Sequence, residues 1–284
     1  YAFNNNPEQA SYRITPNKDD NYLDGVSTLD LVIIQRHILG LDNLDDAYKI
    51  IASDINNDEK VSASDLLQLR KLILGVITEY PLNTSYVMVD ASQQFSDIND
   101  PWPLNTDIII DPLVGHMNGQ DFIAIKVGDV TDNATYGLTQ TINSEVRSSK
   151  TLGLSIDNKI LTKNEAVSID INSSNTNPIL GLQFAISIDG LENVKMTSGA
   201  INITENNYSI EGDEIRISWS AVQALNLIAG EALFTIEGIA NKGISTEEAI
   251  SIDDKSSLVA EAYGTDLMVM NIDIASRNLV INDR

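Results

Sequence analysis

"DINNDEKVSASDLLQLRKLILG", residues 54–75, sets acids and amides at alternate places and then turns abruptly apolar. A similar passage, "DDNYLDGVSTLDLVIIQRHILG", occupies residues 19–40. The two align at a constant offset of 35 residues, with 7 identities in the 15 positions from Val26/Val61 to Gly40/Gly75. That agreement marks an internal duplication. Each copy reads as an acidic loop followed by a helix. Leu66, Leu69, Leu72 and Ile73 form one stripe at three- and four-residue spacing, and Leu31, Ile34, Ile38 and Leu39 do the same in the first copy. Gly40 and Gly75 stop the helices. Residues 41–53 join the copies, with a short helix expected at "LDDAYKIIA".

So many oxygens ahead of a helix suit a hard divalent cation. Calcium takes six to eight oxygen ligands at ~2.3–2.6 Å, and a loop delivers them from alternate positions. In the second loop these are Asp54, Asn56, Asp58, the carbonyl of Lys60, Ser62 and Asp65, with Val61 turned inward to tie the loop to a core. The competing explanation makes Ser62 an N-cap and Asp65 the far end of a capping box. It accounts for the helix start but not for Asp54, Asn56 and Asp58 together. The first loop offers Asp19, Asn21, the carbonyl of Gly25, Ser27 and Asp30. Leu23 stands where the second loop has Asp58; either the neighbouring Asp24 is the substitute ligand, or the loop is a degenerate copy that keeps the fold without the ion.

Two helices of about 12 residues need a surface to cover their stripes. Residues 81–136 supply short strands at "SYVMVD", "TDIIID" and "DFIAIKVGDV", and we expect them to join the helices. Residues 137–151 suit a linker. From residue 152 the period becomes two. In "LGLQFAISI" Leu180, Leu182, Phe184, Ile186 and Ile188 share one side; in "EIRISWS" Ile215, Ile217 and Trp219 do, with Arg216 and Ser218 facing away. Eight or nine such strands predict an antiparallel β-sandwich of jelly-roll or immunoglobulin-like type. The fold class is therefore mixed and mainly β. The expected organisation is residues 1–16 as the tail of a preceding β domain, 17–136 as the loop–helix pair with its β extension, 137–151 as linker and 152–284 as sandwich. A start inside the strand-like "YAFNN" suggests a piece of a longer protein.

The duplicated loop–helix, with Asp54, Asn56, Asp58, Asp65 and "LLQLRKLILG", resembles a type I dockerin over residues 19–76. The resemblance implies calcium dependence and a cohesin-like partner, in the same or another chain. It also implies that the pairs before each closing aspartate, Thr28-Leu29 and Ala63-Ser64, face that partner. Residues 152–284 are similar to a cohesin-like sandwich in "ILGLQFAISIDGLENVKMTSGAI", "EIRISWSAV", "GEALFTIEGIA" and "LVAEAY". The combination is similar to the C-terminal regions of large adhesin-like surface proteins exported by the type IX route. A secreted or cell-surface location follows from that resemblance.

A net charge of −23 disfavours nucleic acid, since no Lys/Arg cluster offsets it. There is no cysteine, and no apolar run is long enough to span a membrane. The two histidines, His37 and His116, sit in no Ser-His-Asp arrangement, and no phosphate-binding glycine motif occurs. The expectation is a non-catalytic calcium-binding module for adhesion or assembly. The alternative is carbohydrate binding by the sandwich, with Trp102, Trp219 and Tyr263 as stacking candidates, or the non-catalytic part of a secreted glycoside hydrolase.

Overall fold

A computed structural model describes residues 6–135 and 147–278. The first part runs β1 (Tyr12–Ile14), α1 (Thr28–Ile38), α2 (Ala47–Ser53), α3 (Ala63–Ile73), β2 (Tyr86–Asp90), β3 (Ile108–Ile110) and β4 (Phe122–Lys126). Both long helices open on a serine. Ser27 and Ser62 cap α1 and α3, and Asp30 and Asp65 return a carboxylate to the cap amide, completing a capping box in each copy. The cap explanation of Asp65 therefore holds at the helix start, without excluding a role for the same carboxylate in the loop.

The apolar stripes meet as expected at Leu31, Ile34, Leu69, Leu72 and Ile73, all buried in one cluster with Ile50, Ile51 and Ile55 around α2. Leu39 departs from the expectation. It is the C-cap of α1 and 51% exposed, because the helix ends before carrying it round to the core. The expected short helix forms at α2. Val89, Ile125, Val127 and Val130 of the β extension enter the same cluster, so helices and extension share one core. β2 pairs with β4, and β1 pairs with β3. Residues 12–14, within the stretch 1–16 expected as the tail of a preceding β domain, form a two-stranded ribbon with residues 108–110, Tyr12 and Ile14 lying opposite Ile110 and Ile108.

The second part runs β5 (Arg147–Asn158), β6 (Ile160–Leu161), β7 (Ala166–Ser173), β8 (Ile179–Ile188), β9 (Leu191–Ser198), β10 (Tyr208–Glu211), β11 (Glu214–Leu225), β12 (Ala232–Ala240), β13 (Ile244–Ser245), α4 (Thr246–Ala249), β14 (Ile250–Ile252), β15 (Glu261–Gly264) and β16 (Val269–Asn278). β5 begins inside the segment expected as linker, residues 137–151; residues 136–146 lie outside the described part. The main sheet has the order β10-β11-β8-β15-β16-β5-β7-β12-β9, with β14 also on β8. Its pairs are antiparallel except β16 with β5, which run parallel where the sheet folds over. The period-two residues fill the space between the layers. Leu182, Phe184, Ile186, Ile215 and Ile217 face Ile169, Ile171, Phe234 and Ile236, and the Phe184 and Phe234 rings lie 6.3 Å apart.

β8 is buried on both sides, unlike a strand with one face in water. Its core-facing set is apolar, and its other set, Gly181, Gln183 and Ala185, is covered by α1 and the helical cluster. The helix pair therefore sits on the outer face of the sandwich.

Candidate functional site

Two places stand out: the acidic loops and the face between the helices and the sandwich. The face is built from the first turn of α1. Thr28 donates its backbone N–H to Gln183 Oε1 at 2.6 Å, and its hydroxyl lies 2.6 Å from Ser218 Oγ. That N–H is one of the orphan donors of a helix N-terminus, so Gln183 acts as a cap supplied from another layer. Leu29 packs with Tyr263 and Val269 in a small cluster of its own. Gly181 lets α1 approach: a β-carbon there would lie 3.1 Å from Val32 Cγ2 and 3.0 Å from the Trp219 carbonyl. The far end of α3 lands beside it. Arg70 Nη2 donates to Ser220 Oγ at 2.7 Å, and Ser209 Oγ donates to the Leu74 carbonyl at 2.6 Å. The start of α1 and the end of α3 thus rest together on β8, β10 and β11.

Of the two partner-facing pairs expected from the sequence, Thr28-Leu29 is buried on this face and Ala63-Ser64 is exposed. The sandwich residues Gly181, Gln183, Ser218 and Ser220 were not foreseen as a site. Part of their signal was legible: the non-core side carries Gly181, Gln183 and Ala185 on β8 and Ser218 and Ser220 on β11, with charge only at the Glu214 and Arg216 end of β11.

The second loop curls around its own acids. Asp54 accepts from the amides of Asp58 at 3.0 Å and Glu59 at 2.9 Å. Asp65 accepts from those of Asn56 at 3.0 Å and Ser62 at 2.9 Å. Asn57 and Glu59 take positive φ, +59° and +63°, which turns the chain tightly enough for this. Asn56 Nδ2 donates to Ser64 Oγ and Asp58 Oδ2, while its Oδ1 is buried with no hydrogen-bond partner. Burial pushes the Asp54 carboxyl up to about 6, with the charges of Asp65 and Asp58 adding to the rise and amide hydrogen bonds opposing it. Burial raises Asp65 as well. An orphaned amide oxygen beside two buried, mutually repelling carboxylates fits a cation better than it fits a solvated turn. Lys60 is exposed, Ser62 is half-buried, and Val61 packs against the helical core as expected. Among the described residues, no three His, Asp or Glu side chains already converge as a ligand cluster.

The first loop is arranged differently. Asp30 is fully buried, accepting from Ser27 N–H at 2.8 Å and from Val130 N–H at 2.9 Å. Burial and the nearby Asp129 push its carboxyl well above the usual range. Asp19 accepts from Ser85 N–H at 2.8 Å, and Asp24 from the amide and hydroxyl of Thr135 at 3.0 Å. Gly25 lies under Asp129, whose Oδ2 would stand 2.6 Å from a β-carbon there. The Asn21 carbonyl accepts from Lys126 Nζ at 2.6 Å, and Ser27 caps α1.

Residues 19–74 match the family model of the dockerin type I domain. No curated protein matches the chain. Among solved structures, a non-cellulosomal cohesin from the hyperthermophilic archaeon Archaeoglobus fulgidus is similar over 46% of this chain and 94% of that chain, at 13% identity and a TM-score of 0.33. A type I cohesin–dockerin complex from Clostridium thermocellum covers 46% of this chain and 100% of that chain, at 13% identity and a TM-score of 0.34. A type I cohesin from Pseudobacteroides cellulosolvens covers 48% of this chain and 97% of that chain, at 14% identity and a TM-score of 0.34.

The remaining candidates lie away from the face between helices and sandwich, or in cores. His37 accepts the Leu44 N–H at Nδ1, and burial lowers its pKa; His116 is exposed in a loop. Trp219 and Tyr263 are buried, and Trp102 packs against the helical core, so these three do not form an exposed stacking row. No helix among the described residues is long and apolar enough to cross a membrane.

Proposed function

We propose that this chain is a non-catalytic extracellular docking module in which the dockerin segment is seated on the sandwich of its own chain. The observation that carries the reading is Thr28, hydrogen-bonded from α1 to Gln183 and Ser218 on a face kept open by Gly181. Solved cohesin–dockerin complexes bring a cohesin and a dockerin together. Here the same pairing lies within one molecule, where it fixes the angle between neighbouring parts of a surface or secreted protein.

Calcium would stiffen the second loop. Asp54, Asn56, Asp58, the Lys60 carbonyl, Ser62 and Asp65 are the residues that would hold it. A bound cation would supply positive charge against which Asp54, Asp58 and Asp65 no longer repel one another. The protein's own part is to hold Asp54 at the end of α2 and Asp65 in the first turn of α3, so that the two helices are fastened through one loop. A ligand that binds only the folded state adds about 2.7 kcal/mol at a hundredfold excess over Kd.

The test is a thermal melt and a sedimentation run of the whole chain, with calcium and with chelator. Chelation should lower the melting temperature while the chain stays a compact monomer. An unchanged melt would remove the calcium role. Calcium-dependent association between chains would remove the docking within one chain.

A further inference from the structure

The duplicated loops direct their carboxylates to different places. In the second, every amide that Asp54 and Asp65 accept from belongs to the loop itself, namely Asn56, Asp58, Glu59 and Ser62. In the first, the equivalent acids keep one donor of their own loop each, Ser27 N–H for Asp30 and the Tyr22 hydroxyl for Asp19, and also reach outward. Asp19 accepts from Ser85, and Asp30 from Val130 at 2.9 Å and Thr131 at 3.3 Å. Asp24, the substitute for the acid missing at Leu23, is turned to Thr135. The backbone paths differ too. Asn21 has φ +48°, while the second loop makes its left-handed turns at Asn57 and Glu59, one and three residues past the equivalent position.

A cation is nonetheless present beside the first loop. Lys126, 2% exposed, brings its ammonium to the Asn21 carbonyl at 2.6 Å. The rings of Tyr86 and Tyr22 lie 4.7 and 5.8 Å from it. Burial draws this lysine down to about 8, opposed by the charges of Asp24, Asp129 and Asp20. The chain then runs straight on from Lys126 into the turn whose amides satisfy Asp30. Its Asp129 accepts from Thr131, Asn133 and Ala134 and presses against Gly25. One continuous segment therefore supplies a positive charge and the donors for Asp30 and Asp24, while Asp19 takes its donor from Ser85.

We propose that the first loop takes no divalent cation, and that the Lys126 ammonium with the backbone of residues 127–135 closes it instead. The chain then holds one calcium ion, in the second loop, and to that extent the inference rests on the reading given above. A tethered ammonium cannot be diluted or chelated away. The helix that carries Thr28 and Leu29, α1, thus stays seated on the sandwich at any calcium level, while the loop ahead of α3 responds to the ion.

Native mass spectrometry and hydrogen exchange of the whole chain, in excess calcium and in EDTA, test this. One ion per chain is expected. Chelation should speed exchange across residues 54–66 by about tenfold or more while residues 19–31 change by less than about twofold. Two ions, or equal loss of protection in both loops, would overturn the inference. No bound ion, with residues 19–31 unchanged, would defeat the calcium role of the second loop yet uphold the closed first loop. Lys126→Met should deprotect residues 19–31 without altering the calcium stoichiometry, and Lys126→Arg should restore the protection. Full protection in Lys126→Met would overturn the part given to lysine. Should Lys126→Met fail to fold, the exchange pattern of the unaltered chain still decides.

Discussion

Gln183 illustrates how one side chain joins two layers. It is 3% exposed on the non-core side of β8, accepts the Thr28 amide and donates to the Val259 carbonyl at 3.3 Å. Gln183→Leu keeps the volume but leaves a buried helix N–H unpaired, and should cost about 1–3 kcal/mol in urea unfolding of the whole chain. A loss near zero would mean that water reaches Thr28. Asp54 belongs to the same scale. Its carboxyl is raised from 3.8 to about 6, so between those values the folded chain binds a proton that the unfolded chain releases. In the calcium-free protein its contribution is full at low pH and lost as the pH rises through that window. On the proposed reading, calcium would compete with this proton. The rise in melting temperature on adding calcium should therefore grow between about pH 5 and about pH 7.5. An increment equal at both pH values would count against Asp54 as a ligand.

At the scale of elements, the duplication makes two helices that end in unlike surroundings. Val32 of α1 and Leu67 of α3 are equivalent by the 35-residue offset. Val32 is fully buried against the sandwich, and Leu67 is 42% exposed. Val32→Ala should cost about 1.5–3 kcal/mol, and Leu67→Ala less than about 1 kcal/mol despite deleting the larger side chain. Denaturant midpoints of the two variants make the comparison; equal losses would mean that α1 is not seated as described. The apolar stripes of both helices were legible because period 3.6 needs no knowledge of the partner. The second buried face of α1 was less so. "TLDLVII" is apolar almost all round, which signals burial on two sides without saying what covers the second.

At the scale of the molecule, the face between helices and sandwich is the structural statement. Its polar pairs are few, buried and specific: Thr28 with Gln183 and Ser218, and Arg70 with Ser220. A double-mutant cycle of Thr28→Val and Ser218→Ala should give a coupling of about 0.5–3 kcal/mol, as for side chains in direct contact. Additive losses would place the two hydroxyls apart in solution. The arrangement leaves Ala63-Ser64 in solvent, so the internal symmetry of the duplication is broken by docking and not by the helices themselves.

The sequence by itself determined the duplication, the helix start at Ser62, the acid spacing of the second loop and the alternating strands of the sandwich. Each of these is a local periodicity or a cap, and its physics lies within a few residues. Tertiary structure decided what each repeat is used for. The oxygens of Asp19, Asp24 and Asp30 read like those of the second loop until Ser85, Val130 and Thr135 arrive from far along the chain to bind them. The outer face of β8 and β11 likewise becomes an interface only when α1 covers it. Such long-range pairing leaves mainly small residues and amides as its trace in the sequence, because a buried face between two layers disfavours unpaired charge but imposes no period of its own.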